Sequence, residues 1–342
     1  MVITQTPFRM SFFGGGTDFP GFYEEHGGSV ISTTFDKYCF VTVSHLPRFF
    51  HYKNQITYSR IERTNMVDEI EHPAVREAME YLDMHELRMV YEADLPARSG
   101  LGTSSSFAVG MINAFYALKG KYADKMQLAK DAIYVERVLC KESGGVQDQI
   151  AASFGGLNRI NFSSEGYVVH PVIMPKERKR LLNDNLMLFF TGFSRFSSDI
   201  ARNQEKVTSD KTKELKEMLA LVDEAERILT GKGDLNEFGK LLDHTWKLKR
   251  GITSSISNDS IDLLYKKALE AGAVGGKLLG AGGGGFLLFY VETDKQAAVK
   301  EVLKDLLYVP FEFENAGTRV LYYKSEDFDI DSVKHQQKEW RN

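Results

Sequence analysis

Residues 96–106 read Pro-Ala-Arg-Ser-Gly-Leu-Gly-Thr-Ser-Ser-Ser and run straight into 107–118, which is apolar on one face at helical spacing. Glycines let the backbone approach a ligand, and a helix start offers unpaired N–H groups at the positive end of its dipole. The hydroxyls of Thr103, Ser104, Ser105 and Ser106 add donors for phosphate oxygens and oxygen ligands for a hard cation. An ordinary loop with a serine N-cap is the simpler alternative. The crowding of glycines and hydroxyls at one helix start favours an anion site. Two more glycine-rich segments lie at 14–16 and 280–285. The first lacks the helix start and acidic strand end of a dinucleotide fingerprint. No glycine loop continues into Gly-Lys-Ser/Thr, which excludes a Walker A loop.

The elements that must position these segments follow from hydrophobic period and turn residues. Strand patterns cover 6–13, 29–34 and 38–44, with the glycine turn 14–18 after the first. A helix is expected at 72–84, and a strand at 88–93 feeds the glycine–hydroxyl loop. Helices follow at 104–118 and 124–140, then loop 142–148, a short helix from Gln149 and a hairpin over 156–172. The charged, proline-containing stretch 174–183 reads as a connector between two domains, 1–178 and 179–342. The second domain opens with a strand at 186–191 and a charged helical region at 197–229. Helices near 235–250 and 259–271 come next. Paired strands at 273–279 and 286–291 flank the third glycine segment, before a helix at 295–307 and a strand at 319–324. This mixed order predicts α+β layers and not a regular βαβ alternation.

Composition bounds the function classes. The 342 residues are 43% hydrophobic and 26% charged, the make-up of a globular protein with room for two domains. A net charge of −4 gives no basic surface for nucleic acid. No apolar run is long enough for a membrane helix, and the first residues lack a secretory pattern. The only cysteines, Cys39 and Cys140, have no zinc or disulfide spacing, which fits a cytoplasmic protein. His26, His51, His72 and His244 show no metal spacing either. Trp246, Phe189, Phe190 and Phe193 are assigned to core packing.

Together the three glycine segments carry a resemblance. Residues 96–106 resemble the Pro-x-x-x-Gly-Leu-Gly-Ser-Ser phosphate loop of the GHMP kinases. Thr6-Pro7-x-Arg9 through Gly14-Gly-Gly-Thr17-Asp18 resembles that family's first motif, and Lys277-Leu-Leu-Gly280 through Gly285 its third, in the family's order. The resemblance implies an S5-like N-terminal domain, a ferredoxin-like C-terminal domain, and ATP with Mg2+ as cofactors. Pro96, Ser99, Gly100, Leu101, Gly102, Thr103, Ser104 and Ser105 would then hold the nucleotide phosphates. Ser104 and Glu136 would hold magnesium, which prefers hard oxygen ligands. For Glu136 the plain alternative is a solvated helix glutamate. Asp148, in Gly145-Val-Gln-Asp-Gln149, would face the acceptor hydroxyl as base or orienting group, with an N-cap for the following helix as the alternative. Arg9 would set a positive charge beside Asp148 and balance charge on the transferred group. An exposed strand-end arginine is its alternative.

The acceptor side is implied by Gly15, Gly16, Thr17 and Asp18. Galactokinases carry Glu-His where this chain has Gly15-Gly16, so two sugar contacts are missing and the space is larger. That form, with 253–258, looks most like the heptose 7-phosphate kinases, which implies phosphorylation of the anomeric hydroxyl of D-glycero-D-manno-heptose 7-phosphate. Fucose or galactose as acceptor, or a sugar sensor without catalysis, are the other readings. Lys249 and Arg250, ahead of Arg195 and Arg202, are candidates for a distal phosphate. Gly282 and Gly283 would close the site from the second domain, with strand–turn packing as the alternative. The expected partners are a sugar phosphate and ATP, and the expected assembly a monomer or homodimer.

Overall fold

The computed structural model describes residues 1–47, 49–97, 99–192, 211–252, 256–280 and 282–325. β1 (Val2–Phe13) begins with alternating buried and half-buried residues and is buried on both faces from Thr6 onward. After the glycine turn come α1 (Pro20–His26) and the long β2 (Gly28–His45). Next are β3 (Asn54–Thr57), β4 (Ile61–Thr64), α2 (Pro73–Tyr81), β5 (Leu87–Ala93) and α3 (Thr103–Leu118). α4 (Lys125–Ile133) runs into a π-helical turn (Tyr134–Leu139), followed by α5 (Gln147–Phe154), β6 (Asn158–Ser163) and β7 (Gly166–Pro171). The second half holds α6 (Lys176–Asp184), β8 (Leu186–Phe190), α7 (Thr212–Thr230), α8 (Asn236–Arg250) and α9 (Asp259–Glu270). β9 (Gly275–Leu278), β10 (Phe286–Tyr290), α10 (Gln296–Val302), β11 (Leu307–Val309), β12 (Phe313–Glu314) and β13 (Arg319–Tyr323) complete it.

The expected two-part α+β architecture is present. One sheet has nine strands, with the path β13-β1-β2-β5-β3-β4 and β6, β7 and β12 joined through β2. The other has the order β11-β8-β10-β9. Numbered along the chain that is 4-1-3-2, the arrangement of a ferredoxin-like unit. Among the described residues no helix is long and apolar enough to cross a membrane.

Four local expectations change. The two strands expected at 29–34 and 38–44 are one. β1 pairs Pro7 with Tyr38 and Phe8 with Phe35, so Asp36 and Lys37 bulge out of an unbroken β2. Asp36 is spent on the C-terminal segment, donating its N–H to the Glu312 carbonyl at 2.9 Å. The connector at 174–183 is largely α6, entered from Pro175 and anchored by buried Leu182 and Asn183. The helix expected over 124–140 changes to π geometry after Ile133. The last described strands, placed by the expected boundary with the second domain, do not join the second sheet: β12 pairs with β2 and β13 with β1. Residues 313–323 therefore finish the first sheet, and both chain regions contribute to it.

A shared core holds the two parts together. Phe12 and Phe13 of β1 meet Phe238 of α8 edge to face, with ring centroids 5.4 and 5.2 Å apart. Val222 of α7 joins the same cluster. Each buried phenylalanine contributes about 1.5–3 kcal/mol, so the cleft between the parts has a packed base. Trp246 and Phe189 are buried as expected, Phe190 is partly so, and Phe193 lies outside the described residues.

Candidate active site

The glycine–hydroxyl loop ends where α3 begins. Gly102 takes a left-handed conformation, φ 71°, and no side chain caps the helix. The serine N-cap reading therefore falls. The hydroxyls go elsewhere: Ser106 donates to the Pro7 carbonyl at 2.9 Å, while Ser104 and Ser105 both turn to Glu136. The uncapped first turn, with Gly102, Thr103, Ser104 and Ser105, opens onto the main cleft.

Glu136 is 1% exposed, so the solvated-helix alternative also falls. Its Oε1 accepts from Ser104 at 2.9 Å, and its Oε2 from Ser105 at 2.8 Å and from Gln149 Nε2. The π-helical turn supplies this placement. Its i→i+5 pairing, seen in the Cys140 N–H bonded to the Val135 carbonyl, changes the angular step just where Glu136 leaves the helix. The donor set suits magnesium: one buried carboxylate and one hydroxyl, both hard oxygens. Among the described residues no group of three or more His, Cys, Asp and Glu gathers, so a cation here must complete its shell from phosphate oxygens and water.

Arg9 and Asp148 meet across 139 positions of sequence. Nε donates to Oδ1 at 2.7 Å and Nη2 to Oδ2 at 2.9 Å, a bidentate fork, while Nη1 holds the Gly100 carbonyl at 2.8 Å. Arg9 is 4% exposed and so is no solvated strand end. Asp148 lies in the first turn of α5 but does not cap it, since Val146 occupies the cap position. Its carboxylate is free to face the cleft.

Asp18 is 2% exposed and accepts from the Gly16 N–H at 2.9 Å and, at 3.4 Å, the Gln147 N–H. Burial, and then the charge of Asp148, raise its carboxyl above the usual range. Loop 142–145 closes over it. A Cβ on Gly145 would lie 1.8 Å from Asp18 Oδ2, so only glycine fits. Arg137 holds that loop by donating to the Glu142, Ser143 and Gly145 carbonyls at 3.2, 3.2 and 2.7 Å.

The third glycine segment packs on the glycine–hydroxyl loop. A Cβ on Gly280 would lie 2.3 Å from Gly100 Cα, and one on Gly285 would lie 2.3 Å from the Ser99 carbonyl oxygen. Lys249 of α8 donates to the Gly280 carbonyl. Lys277 of β9 reaches the Phe12 carbonyl at 2.7 Å. Burial and the charge of Arg9 pull Lys249 down to about 8, against the attraction of Asp18 and Asp148. Burial, Lys249 and Arg9 push Lys277 well below the ordinary lysine range.

One cleft thus gathers Arg9, Gly15, Gly16, Asp18, Gly100, Gly102, Thr103, Ser104, Ser105, Glu136, Asp148 and Lys249 from the sequence-derived candidates. Others lie outside it. Thr17 is buried, with its hydroxyl donating to the Gly14 and Ser29 carbonyls, so it braces the turn. Pro96 is exposed away from the cleft, and Ser99 is buried under the glycine segment. Leu101 is in the core, its carbonyl accepting from the Arg9 N–H at 3.1 Å. Arg250 pairs with Asp262 instead of facing the cleft. Gly282 and Gly283 pack against Ile256, the Gly283 N–H donating to its carbonyl at 2.9 Å. Arg195, Arg202 and 253–255 lie outside the described residues. Sequence reading missed Ser11, Arg137, Gln147 and Lys277, which also line the cleft. For Lys277 the signal was present: a lysine inside an otherwise apolar strand.

Comparison with known proteins gives a consistent result. The model for the GHMP kinases N terminal domain matches residues 65–156, and that for the GHMP kinases C terminal matches 221–309. The D-glycero-alpha-D-manno-heptose 7-phosphate kinase of Campylobacter jejuni is 29% identical over 333 residues, 92% of this chain and 97% of that protein. The galactokinase of Pyrococcus furiosus is 27% identical, covering 61% of this chain and 66% of that protein. Among solved structures, a D-glycero-D-manno-heptose 1-phosphate kinase from Bacteroides thetaiotaomicron shares the fold with a TM-score of 0.77. That likeness covers 95% of this chain and all of the other, at 23% identity.

Proposed function

The chain belongs to the GHMP kinases, and from that premise we propose that it transfers the γ-phosphoryl group of ATP to the anomeric hydroxyl of D-glycero-D-manno-heptose 7-phosphate. The observation that carries the reading is the Arg9–Asp148 fork, held in the same cleft as the Ser104–Glu136 pair and the side-chain-free floor at Gly15 and Gly16. Phosphoryl transfer needs the donor phosphates held, their charge balanced and the acceptor oxygen aligned. The open first turn of α3 offers N–H groups and a dipole end for the phosphates. Magnesium, when bound by Ser104 and Glu136, would neutralise charge between phosphate groups.

Asp148 orients the acceptor hydroxyl and takes its proton at a carboxylate oxygen. Arg9 fixes the rotamer of that carboxylate through two parallel bonds and brings a cation to the transferred group. Asp18, Ser11 and Gln147 offer polar atoms for sugar hydroxyls. Ser11 Oγ and Gln147 Oε1 are buried with no hydrogen-bond partner among the described residues, a state that a bound polyol relieves. Glycine at 15 and 16 leaves room for a seven-carbon sugar where a larger side chain would fill the floor. Two free cysteines, one buried, suit the reducing cytoplasm in which we place the protein.

A panel of sugars with ATP and magnesium, followed by product release of ADP, tests the assignment. The heptose 7-phosphate should be turned over with the highest kcat/KM. Equal rates with and without the distal phosphate would remove the heptose-phosphate reading. Preference for fucose or galactose would move the acceptor but keep the chemistry.

A further inference from the structure

Lys249 and Lys277 are cleft side chains that make no ion pair with a carboxylate among the described residues. They are 6% and 2% exposed. An ammonium has three donors. Among the described residues each lysine spends one, on the carbonyl of Gly280 or of Phe12. Arg9, the third buried cation of this cleft, is already matched by Asp148. Holding both as ammonium groups, drawn from water without ion pairs and repelling each other, is costly in a folded chain and draws both toward the neutral amine. Such a cost is offset when an anion arrives between them.

Their place argues for which anion. Lys277 is tied to Phe12, just before the glycine turn, and Lys249 is attracted by Asp18 as well as Asp148. Both therefore lie along the wall built by the glycine turn, β9 and the end of α8, which meets the glycine–hydroxyl loop where Gly280 packs on Gly100. Ser11 Oγ, buried and without a partner among the described residues, opens to the same cleft. Above it the space is clear: a Cβ on Gly15 would meet nothing nearer than Ser11 Oγ at 3.9 Å and Gln147 Nε2 at 4.0 Å.

We infer that Lys249 and Lys277, with the Ser11 hydroxyl, form a second anion subsite that binds the phosphate carried by the sugar acceptor. The inference rests on the reading of the acceptor as a sugar phosphate, and it assigns the discrimination to named residues. Lysine suits the task, because a compact charge with rotatable donors fits a tetrahedral phosphate from any side. An unphosphorylated sugar leaves both buried ammonium groups facing neutral hydroxyls, so the subsite rejects it as well as attracting the phosphate.

K249M and K277M test this through the ratio of kcat/KM for the sugar phosphate to that for the matching unphosphorylated sugar. Loss of a charged hydrogen bond should lower that ratio by about tenfold or more in each variant, mainly through KM for the phosphorylated acceptor. Equal losses on both acceptors overturn the subsite and assign the lysines to the transferred phosphoryl group. A second measurement uses the intact enzyme with a non-hydrolysable ATP analogue filling the α3 loop. Inorganic phosphate should then raise the melting temperature of wild type and leave K249M unmoved. This holds whether or not K277M folds, and no phosphate-dependent rise in wild type overturns the proposal. If no sugar phosphate is a substrate but the melting shift persists, the acceptor reading fails while the anion subsite stands.

Discussion

On the wall built by α3 and the π-helical turn, the carboxylate has its partners within the chain. Glu136 takes bonds from Ser104, Ser105 and Gln149. On the facing wall, built by β9 and the end of α8, Lys249 and Lys277 have carbonyl partners and no ion pair among the described residues. The Arg9–Asp148 fork stands between them, charged on both sides and internally matched. The difference teaches how one cleft treats two substrates. On the proposed reading, the wall that would receive a triphosphate with its metal is preorganised by hydroxyls around one carboxylate, which can exchange a hydroxyl bond for a cation. A wall that must tell a phosphorylated acceptor from a plain one gains by leaving cations unmatched, because discrimination comes from the unanswered charge.

The comparison breaks most decisively at its centre. Asp148→Asn keeps the shape but removes the proton acceptor, and kcat should fall by about 10²–10⁴-fold. Steady-state kinetics with the fold confirmed by circular dichroism measure it, and turnover within a few-fold of wild type would remove Asp148 as base. On the α3 wall, Glu136→Gln takes away the carboxylate that Ser104 bonds. The magnesium concentration for half-maximal rate should rise by about tenfold or more, as a charged ligand is worth roughly 1.5–3 kcal/mol. An unaltered magnesium titration would make Glu136 a purely structural partner of the serines.

The smallest effect sharpens the facing wall. Lys249, faced by Arg9, Lys277, Asp18 and Asp148, is pulled down to about 8 by burial and the charge of Arg9. Raising the pH through that value removes the ammonium charge, so KM for the phosphorylated acceptor should rise several-fold from about pH 7 to about pH 9. The unphosphorylated sugar should respond less across the same range. Stability runs the other way. With the folded pKa depressed below 10.5, the unfolded chain holds more protons between about 8 and 10.5, so the Lys249 contribution to unfolding free energy grows with pH there. A KM for both acceptors that moves together across this window would count against Lys249 as a phosphate ligand.

Much of the site was legible because its residue types are rare in combination. Glycines beside a run of hydroxyls at a helix start led to the α3 wall, and the resemblance supplied Arg9, Glu136 and Asp148 as its companions. The candidates that lie outside the cleft do so for nameable reasons. Thr17 and Ser99 are polar residues in motif segments, yet their positions face the turn and the glycine packing, which only backbone direction decides. Arg250 and Lys249 are neighbours on one helix, but a step of about 100° separates them, and only Lys249 turns inward. Lys277 was visible as a letter in a motif and not as a ligand, since its partner Phe12 is 265 positions away. That β12 and β13 join the first sheet was not legible, because sheet membership is a non-local pairing with no trace in local period.

By itself the chain's order of residues determined most helices and strands, the glycine turns and the chemistry available at each, because period, propensity and loss of Cβ act within a few positions. Tertiary structure decided which of those groups share a cleft. It set the Arg9–Asp148 fork, turned Glu136 inward through one π-helical turn, returned 313–323 to the first sheet and buried two lysines that make no ion pair among the described residues. Those outcomes depend on contacts between distant segments, where packing and desolvation, not local preference, set the energy.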